Sequence, residues 1–221
     1  MSSGCRTGGS RWSETAAFSF GSVAARVAEA DRWRLFVAIE LPDAISEALE
    51  APLRSLDPLD SVVRRSQRSG IHLTLAFLGV VDRTRVPEIA SRLRSATTGA
   101  APFTVEVTGA GMFPSVSRPQ VLWIGIGGDD RPKLVELAGR VANELRQVGL
   151  EPEKRAFHPH LTLGRVRRPP RPTEQQVLRE WLAEWRDRAY GRLPVSAISL
   201  MRSQLSTGPP TYTQLQTFRL N

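Results

Sequence analysis

Cysteine, histidine, tyrosine and lysine are scarce in this sequence. Among 221 residues there are one cysteine, three histidines, two tyrosines and two lysines. The lone Cys5 excludes an intramolecular disulfide and a thiolate metal cluster and suits a reducing compartment, so we predict a cytoplasmic protein. No run of about 18 apolar residues occurs, which excludes a transmembrane helix and predicts a soluble chain without a membrane partner.

Positive charge, by contrast, is in excess. The 30 lysine and arginine residues against 22 acidic residues give a net charge of +8, and all but Lys133 and Lys154 are arginine. Guanidinium groups bind phosphates through paired hydrogen bonds, so the excess favours a polyanionic partner, although a GC-rich genome would also produce it. The length and the 41% hydrophobic content suit one sizeable core or two small lobes.

Composition divides the chain near residue 32. Residues 1–32 mix glycine, serine and arginine with small apolar residues, and their most apolar stretch is interrupted by Ser19, Gly21 and Arg26. A secretory signal requires an unbroken apolar segment. We therefore predict a flexible N-terminal tail over 1–32, with an organelle-targeting peptide as the alternative, and a single bilobal domain over 33–221.

The two halves of this domain repeat one order of elements, which is strand, helix, strand, helix, strand. The predicted strands are 35–41, 71–79 and 103–107 in the first half and 121–126, 160–166 and 195–201 in the second, with a last strand over 212–220. The predicted helix caps Thr84 and Thr173 follow His72 and His160 by 12 and 13 residues. This duplication predicts two lobes related by a pseudo-twofold axis, with the two histidine strands lining a shared cleft.

The histidine strands carry the same tetrapeptide, His-Leu-Thr-Leu, at 72–75 and at 160–163. Side chains alternate between the two faces of a strand, so each histidine shares a face with the threonine two residues on, while the leucines face the core. A single His-x-Thr-x pattern is weak, but two copies at equivalent positions of a repeat are unexpected by chance. We predict that His72, Thr74, His160 and Thr162 surround one point in the cleft.

Such a group suits in-line attack at phosphorus. One neutral imidazole can take a proton from the nucleophile while the other, protonated, gives a proton to the departing oxygen. The threonine hydroxyls can bind the non-bridging oxygens, and cations can stabilise charge that develops in the transition state. This chemistry requires no metal and no cofactor.

The third histidine leaves a metal alternative open. His158 and His160 form a His-x-His pair, and His72 would complete a three-histidine zinc site with an open fourth position. That alternative does not explain the duplicated threonines. We interpret His158 instead as a structural or substrate-edge residue.

The fifth residue after each catalytic histidine is Phe77 in the first motif and Arg165 in the second. An aromatic ring can stack on a base and a guanidinium can bind a phosphate, which would suit a nucleotide. Strict alternation puts both side chains on the face opposite the histidines. A bulge or strand end, which Gly79 and Gly164 would permit, is needed to bring them into the cleft, and core packing is the alternative for Phe77.

The sequence resembles the two-histidine phosphoesterase superfamily, and within it the RNA 2′,3′-cyclic phosphodiesterases, also called 2′-5′ RNA ligases. The resemblance covers about residues 34–220 and rests on five segments, RLFVAIELP, HLTLAFLG, GMFPSVSRPQVLW, HPHLTLGR and SLMRSQLSTGPPTYTQL. It implies an α+β fold of two lobes, each an antiparallel sheet with flanking helices, around a central cleft.

The resemblance also implies a reaction. It is the metal-independent opening of a 2′,3′-cyclic phosphate at an RNA end to a 2′-phosphomonoester, with reversible 2′-5′ ligation of RNA, including tRNA fragments, as a further activity. By similarity His72 is the proton donor, His160 is the proton acceptor, and Thr74, Thr162 and Arg165 hold the phosphate. The residues alone predict the pair and leave the two roles unassigned.

Two other functions are compatible with the same cleft. One is a cyclic phosphodiesterase that acts on small nucleotides, which would turn over mononucleotides and RNA ends alike. The other is a non-catalytic module that binds RNA ends, for which two matched proton-transfer groups would be unnecessary. No exposed apolar stripe is evident in the sequence, so we predict a monomer.

Overall fold

The computed structural model describes residues 31–152, 156–204 and 209–221. Of the predicted tail over 1–32, only residues 31 and 32 are among the described residues. The first strand begins at Arg32. The strands are β1 (Arg32–Glu40), β2 (Val63–Arg65), β3 (His72–Asp82), β4 (Phe103–Ser115), β5 (Arg118–Gly127), β6 (His160–Val166), β7 (Ala189–Val195), β8 (Ala197–Gln204) and β9 (Thr211–Arg219). The helices are α1 (Asp43–Ala48), α2 (Glu50–Arg54), α3 (Val86–Thr97), α4 (Arg131–Arg146) and α5 (Pro172–Trp185).

These strands form one curved sheet in the order β7-β4-β5-β6-β3-β1-β8-β9, and β2 pairs with part of β6. Every pairing among the described strands is antiparallel. The α+β class is confirmed, but the expectation of two separate sheets is wrong. A single cross-strand pair, Leu73 with Leu161, joins β3 to β6 and makes the two halves continuous.

The sheet order is symmetric about the β6–β3 junction, and the chain exchanges strands across it. β4 follows β3 in the first half of the sequence, yet it pairs with β5 of the second half. β8 belongs to the second half and pairs with β1 of the first. Each side of the sheet is therefore built from both halves of the chain.

The main core lies on one face of this sheet. Leu35, Val37 and Ile39 of β1 point into it, together with the buried stripe of α4, formed by Leu134, Leu137, Ala138, Val141 and Leu145. The alternate residues Phe36 and Ala38 belong to a small second cluster with Met201. Because alternate side chains of a strand take opposite faces, this second cluster marks the other face, which forms the cleft.

Several predicted boundaries were wrong for identifiable reasons. A 3-10 turn over Arg83–Arg85 comes before α3, so Thr84 does not cap that helix; its backbone N–H instead donates to Asp82. At α5 the helix begins before Thr173, and Glu174 accepts from the N–H of Arg171. Two strands were missed, namely β2, which is only three residues long, and β7, whose Gly191 and Pro194 are typical of turns but are tolerated at a sheet edge.

The described helices include none with the length and apolar character needed to cross a membrane.

Candidate active site

The two histidine strands meet at the centre of the sheet. Leu73 and Leu161 are opposite each other, and continuing the antiparallel register by one residue in each direction places His72 opposite Thr162 and Thr74 opposite His160. Directly opposite side chains lie on the same face. The four polar side chains therefore share the cleft face, while the leucines of both motifs are buried on the other face.

His72 lies at the start of β3 between two aromatic rings. Its ring stacks on Phe36 with centroids 4.6 Å apart and meets the edge of Tyr212 at 5.0 Å. Burial lowers the pKa of His72 to about 4, although a hydrogen bond to the backbone of Gly70 partly opposes the shift. The ring is therefore neutral at pH 7 when the cleft holds no anion.

His160 begins β6 in a related setting. Phe113 meets its ring edge-on at 5.1 Å, and the Trp123 ring lies 6.5 Å away. Its Nδ1 is 2.7 Å from the carbonyl oxygen of His158 and donates to it, because a carbonyl can only accept. This bond makes Nε2 the nitrogen that can accept a proton. In both motifs the ring is thus held by the backbone two residues earlier.

Matched β-bulges change the face of the residues that follow each motif. In β3 the pairing with β1 passes from Thr74 to Ala76 and leaves Leu75 without a partner; in β6 the pairing with β5 passes from Thr162 to Gly164 and leaves Leu163 without one. An extra residue reverses the alternation beyond it. Phe77 and Arg165 consequently lie on the cleft face.

Phe77 and Arg165 are both exposed there. The Phe77 side chain is 51% exposed, and its ring is 6.2 Å from that of Phe36. The core alternative for Phe77 is therefore wrong. On β3 the bulge that turns Phe77 lies at Leu75, and a second register shift leaves Leu78 unpaired with β1 directly before Gly79. On β6 the bulge directly precedes Gly164.

Two further residues reach this site from distant parts of the sequence. Tyr212 of β9 contacts both Phe36 and His72. Burial raises the pKa of the Tyr212 hydroxyl, and the nearby charges of Arg165 and Arg64 partly offset that rise. Arg64 of β2 is directly opposite Arg165.

Sequence reasoning missed Tyr212 and Arg64 as site residues, and it also missed Phe36 and Trp123. For Phe36 and Trp123 a signal existed, since each is an aromatic residue within an aliphatic run of a strand that flanks a histidine strand. For Arg64 no signal existed, because β2 itself was not predicted.

The three-histidine zinc alternative finds no support in the geometry. In residues 31–152, 156–204 and 209–221, no three His, Cys, Asp or Glu side chains come together as a metal-binding group. His158 is exposed, with its ring 6.2 Å from Phe113, and its carbonyl orients His160.

The arrangement brings together the kinds of group that a phosphoesterase centre uses. Two histidine–threonine pairs face each other on one surface, and guanidinium groups flank them, which is what general acid–base attack on a phosphate ester requires. The family model of the 2′-5′ RNA ligase superfamily matches residues 41–207. The chain belongs to this superfamily.

Individual relatives are similar over nearly their whole length. The RNA 2′,3′-cyclic phosphodiesterase of Methanothermobacter thermautotrophicus is 30% identical over 187 residues, 85% of this chain and 98% of that protein. The protein of the same name from Archaeoglobus fulgidus is 33% identical over 185 residues, 84% and 99% of the two chains. The crystal structure of E. coli LigT complexed with 3′-AMP matches with a TM-score of 0.67 and 27% identity, covering 86% of this chain and 98% of that one.

Proposed function

We propose that this protein hydrolyses the 2′,3′-cyclic phosphate at RNA ends to a 2′-phosphomonoester, using two histidines and no metal. The observation that carries the proposal is the pair of His–Thr motifs facing each other across the Leu73–Leu161 pair. The relatives in two archaea, which are named RNA 2′,3′-cyclic phosphodiesterases, support the substrate class.

In the proposed step His160 acts as the base. Its Nε2 accepts a proton from water as the water oxygen attacks phosphorus, and the bond from phosphorus to the 3′ oxygen breaks. His72 gives its proton to that departing oxygen, so the product carries a free 3′ hydroxyl and a 2′ phosphate. The two histidines end with exchanged protonation states, which proton exchange with solvent restores.

The remaining residues bind the substrate in this proposal. Thr74 and Thr162 donate to the non-bridging oxygens, and Arg165 stabilises the charge that grows on them. Phe77 offers an exposed ring on which a base can stack. His158 lies at the edge of the substrate.

Because the pKa of His72 is low, this histidine can act as the acid only if something raises its pKa when the substrate binds. With a pKa of about 4, roughly one molecule in a thousand would hold the proton at pH 7. A bound phosphodiester carries a negative charge, and an opposite charge within about 4–6 Å favours the protonated form. We infer that the substrate itself charges His72 as it binds.

The superfamily supports a second reaction at the same centre, a reversible 2′-5′ ligation of RNA. If the 5′ hydroxyl of another RNA replaces water as the nucleophile, the same proton transfers produce a 2′-5′ phosphodiester. The bond broken is again the one to the 3′ oxygen, so no ATP is consumed. Adding an RNA with a free 5′ hydroxyl and looking for a longer product tests this activity.

The deciding experiment uses a short oligoribonucleotide that ends in a 2′,3′-cyclic phosphate, in excess EDTA. We expect the 2′-phosphate product, separated from the 3′-phosphate by chromatography. His72→Asn and His160→Asn should each lower kcat by about 10²- to 10⁴-fold, the usual contribution of a general acid or base.

His158→Asn distinguishes this mechanism from the zinc alternative. The two-histidine mechanism predicts a loss of about tenfold or less, since His158 holds His160 through its backbone carbonyl, which the substitution leaves in place. Loss as large as that of His72→Asn, with activity restored only by zinc, would establish the metal site. Equal kcat/KM on cyclic mononucleotides and RNA ends would favour the small-nucleotide enzyme, and RNA binding without turnover would favour the binding module.

A further inference from the structure

Three arginines lie beside the proposed catalytic cleft. Arg64, Arg165 and Arg167 line a groove with a volume of about 800 Å³ along β2 and β6. Among the described residues none of the three forms an ion pair. Asp60 and Arg65 also line the groove, and the carboxylate of Asp60 is bound to the guanidinium of Arg65.

The arginines of a neighbouring pocket form ion pairs with carboxylates that balance their charge. A smaller pocket on the same side of the molecule includes Arg54, Arg65 and Arg68 in its lining. Glu50 binds Arg54 and Arg68, each at 2.8 Å, and Asp57 and Asp60 bind Arg65. The positive charge of the first groove is therefore a local feature and not a general consequence of the arginine content.

The positions of Arg64, Arg165 and Arg167 are electrostatically unfavourable without a ligand. Arg64 is directly opposite Arg165 across the β2–β6 pairing, and like charges at such positions destabilise a sheet. Arg167 is two residues beyond Arg165, so it lies on the same face and adds to the repulsion. A bound anion would relieve this repulsion, which is the physical reason to expect one.

We propose that Arg64 and Arg167 bind the internucleotide phosphate that precedes the cyclic phosphate in an RNA strand. This inference rests on the proposed function, in which Arg165 contacts the reacting phosphate. An RNA that ends in a cyclic phosphate continues only in the 5′ direction, so the next phosphate along the strand is the diester that joins the 5′ oxygen of the terminal nucleotide to the preceding nucleotide. Paired strand positions are about 4.5–5.5 Å apart, and arginine side chains from them can reach two successive phosphates.

This subsite would distinguish RNA ends from mononucleotides, because a mononucleotide has no second phosphate to place there. The test measures kcat/KM on a 2′,3′-cyclic mononucleotide and on a five-nucleotide RNA ending in a cyclic phosphate. Arg64→Gln and Arg167→Gln should each lower the ratio of kcat/KM for RNA to that for the mononucleotide by about tenfold, the usual effect of losing one charged hydrogen bond. Each should also reduce the slope of log kcat/KM against log salt concentration by about 0.7 for RNA.

Arg179→Gln is the matched control. Arg179 is an exposed residue of α5 that lines neither pocket, so the same loss of charge there should leave the ratio and the salt slope unchanged. If Arg64→Gln lowers kcat/KM equally for the mononucleotide and for RNA, Arg64 binds the reacting phosphate and not the preceding one, which would contradict the subsite. A ratio unchanged in both variants would overturn the subsite.

A binding measurement separates this proposal from the proposed reaction. Fluorescence anisotropy with a five-nucleotide RNA ending in a 3′-phosphate requires no turnover. If the wild-type protein hydrolyses nothing, the proposed function fails, while a tenfold weaker affinity of Arg64→Gln for this RNA would still support the phosphate subsite. If the wild-type protein hydrolyses RNA ends but both variants bind this RNA as tightly as the wild type does, the subsite alone is excluded.

Discussion

The two candidate catalytic histidines share a sequence motif but contact different aromatic residues. His72 is stacked on Phe36 and covered at its edge by Tyr212, whereas His160 has Phe113 and Trp123 around it. Tyr212 also packs against Gly70, where an added Cβ would come within 3.0 Å of its ring. The cover over His72 is thus close-packed, and exclusion of water there accounts for the lowered pKa of its imidazole.

We expect His72 to titrate near pH 4 in the free protein and at a higher pH when sulfate is present. Sulfate carries no titrating proton between pH 4 and 8, so any rise in the pKa reports the effect of an anion in the cleft. Three histidines in the chain make an NMR titration tractable, and His72→Asn identifies the resonance. A His72 midpoint at or above 6.5 without sulfate would contradict the inference.

The same shift affects stability in a defined direction. The pKa of His72 is lower in the folded chain than the 6.5 of an unfolded histidine, so the unfolded chain binds more protons between pH 6.5 and 4. The contribution of this group to the free energy of unfolding is therefore complete above pH 6.5 and is lost as the pH falls toward 4. His72→Asn should flatten the pH dependence of urea unfolding in that interval.

At the scale of elements, the β-bulges in β3 and β6 determine which side chains face the cleft. Without the extra residue at Leu163, Arg165 would face the helices instead of the cleft. Gly164 follows this bulge where β6 meets β2, and an added Cβ would come within 2.7 Å of Val63, a buried side chain. The strand contact that positions Arg165 therefore depends on the absence of a side chain at 164.

Gly164→Ala should destabilise the protein by about 1–3 kcal/mol, as overpacking of a core does, and lower kcat/KM for a cyclic mononucleotide through displacement of Arg165. Gly139→Ala is the control. Gly139 lies inside α4 with open space around it, and alanine there should stabilise by about 0.5–1 kcal/mol. Urea unfolding and steady-state kinetics measure both effects. A Gly164→Ala protein of wild-type stability would contradict this account of the bulge.

At the scale of the whole molecule, the strand exchange ties the two halves together. β4 belongs to the first half of the sequence but pairs with β5 of the second half. β8 belongs to the second half but pairs with β1 of the first half. Neither side of the sheet can be completed by one half of the chain. The direct junction between β3 and β6 is a single cross-strand pair, so the exchanged strands provide most of the connection.

We therefore expect the described domain to unfold in one cooperative transition despite its two-sided shape. Circular dichroism and tryptophan fluorescence should give the same urea midpoint, and amides of β1 and β5 should show the same global free energy in hydrogen exchange. Separate midpoints, or a lower exchange free energy on one side of the sheet, would mean that the halves unfold independently.

Local patterns in the sequence were sufficient for much of this protein. The repeated His-Leu-Thr-Leu motif, with its alternation of faces, places four polar residues on one surface. Helical spacing of apolar residues is likewise enough to indicate the buried side of α4, which is formed by Leu134, Leu137, Ala138, Val141 and Leu145. These features depend only on the geometry of a strand or helix over a few residues.

Only the tertiary structure decided the rest, because it depends on pairing between distant segments. The bulges arise from registers between strands, so alternation alone placed Phe77 and Arg165 on the wrong face. β2, Arg64 and Tyr212 come to the site through sheet pairing, which leaves no trace in local spacing. The single continuous sheet and the burial of His72 likewise follow from which strands become neighbours, and that choice is made by the packing of the whole core.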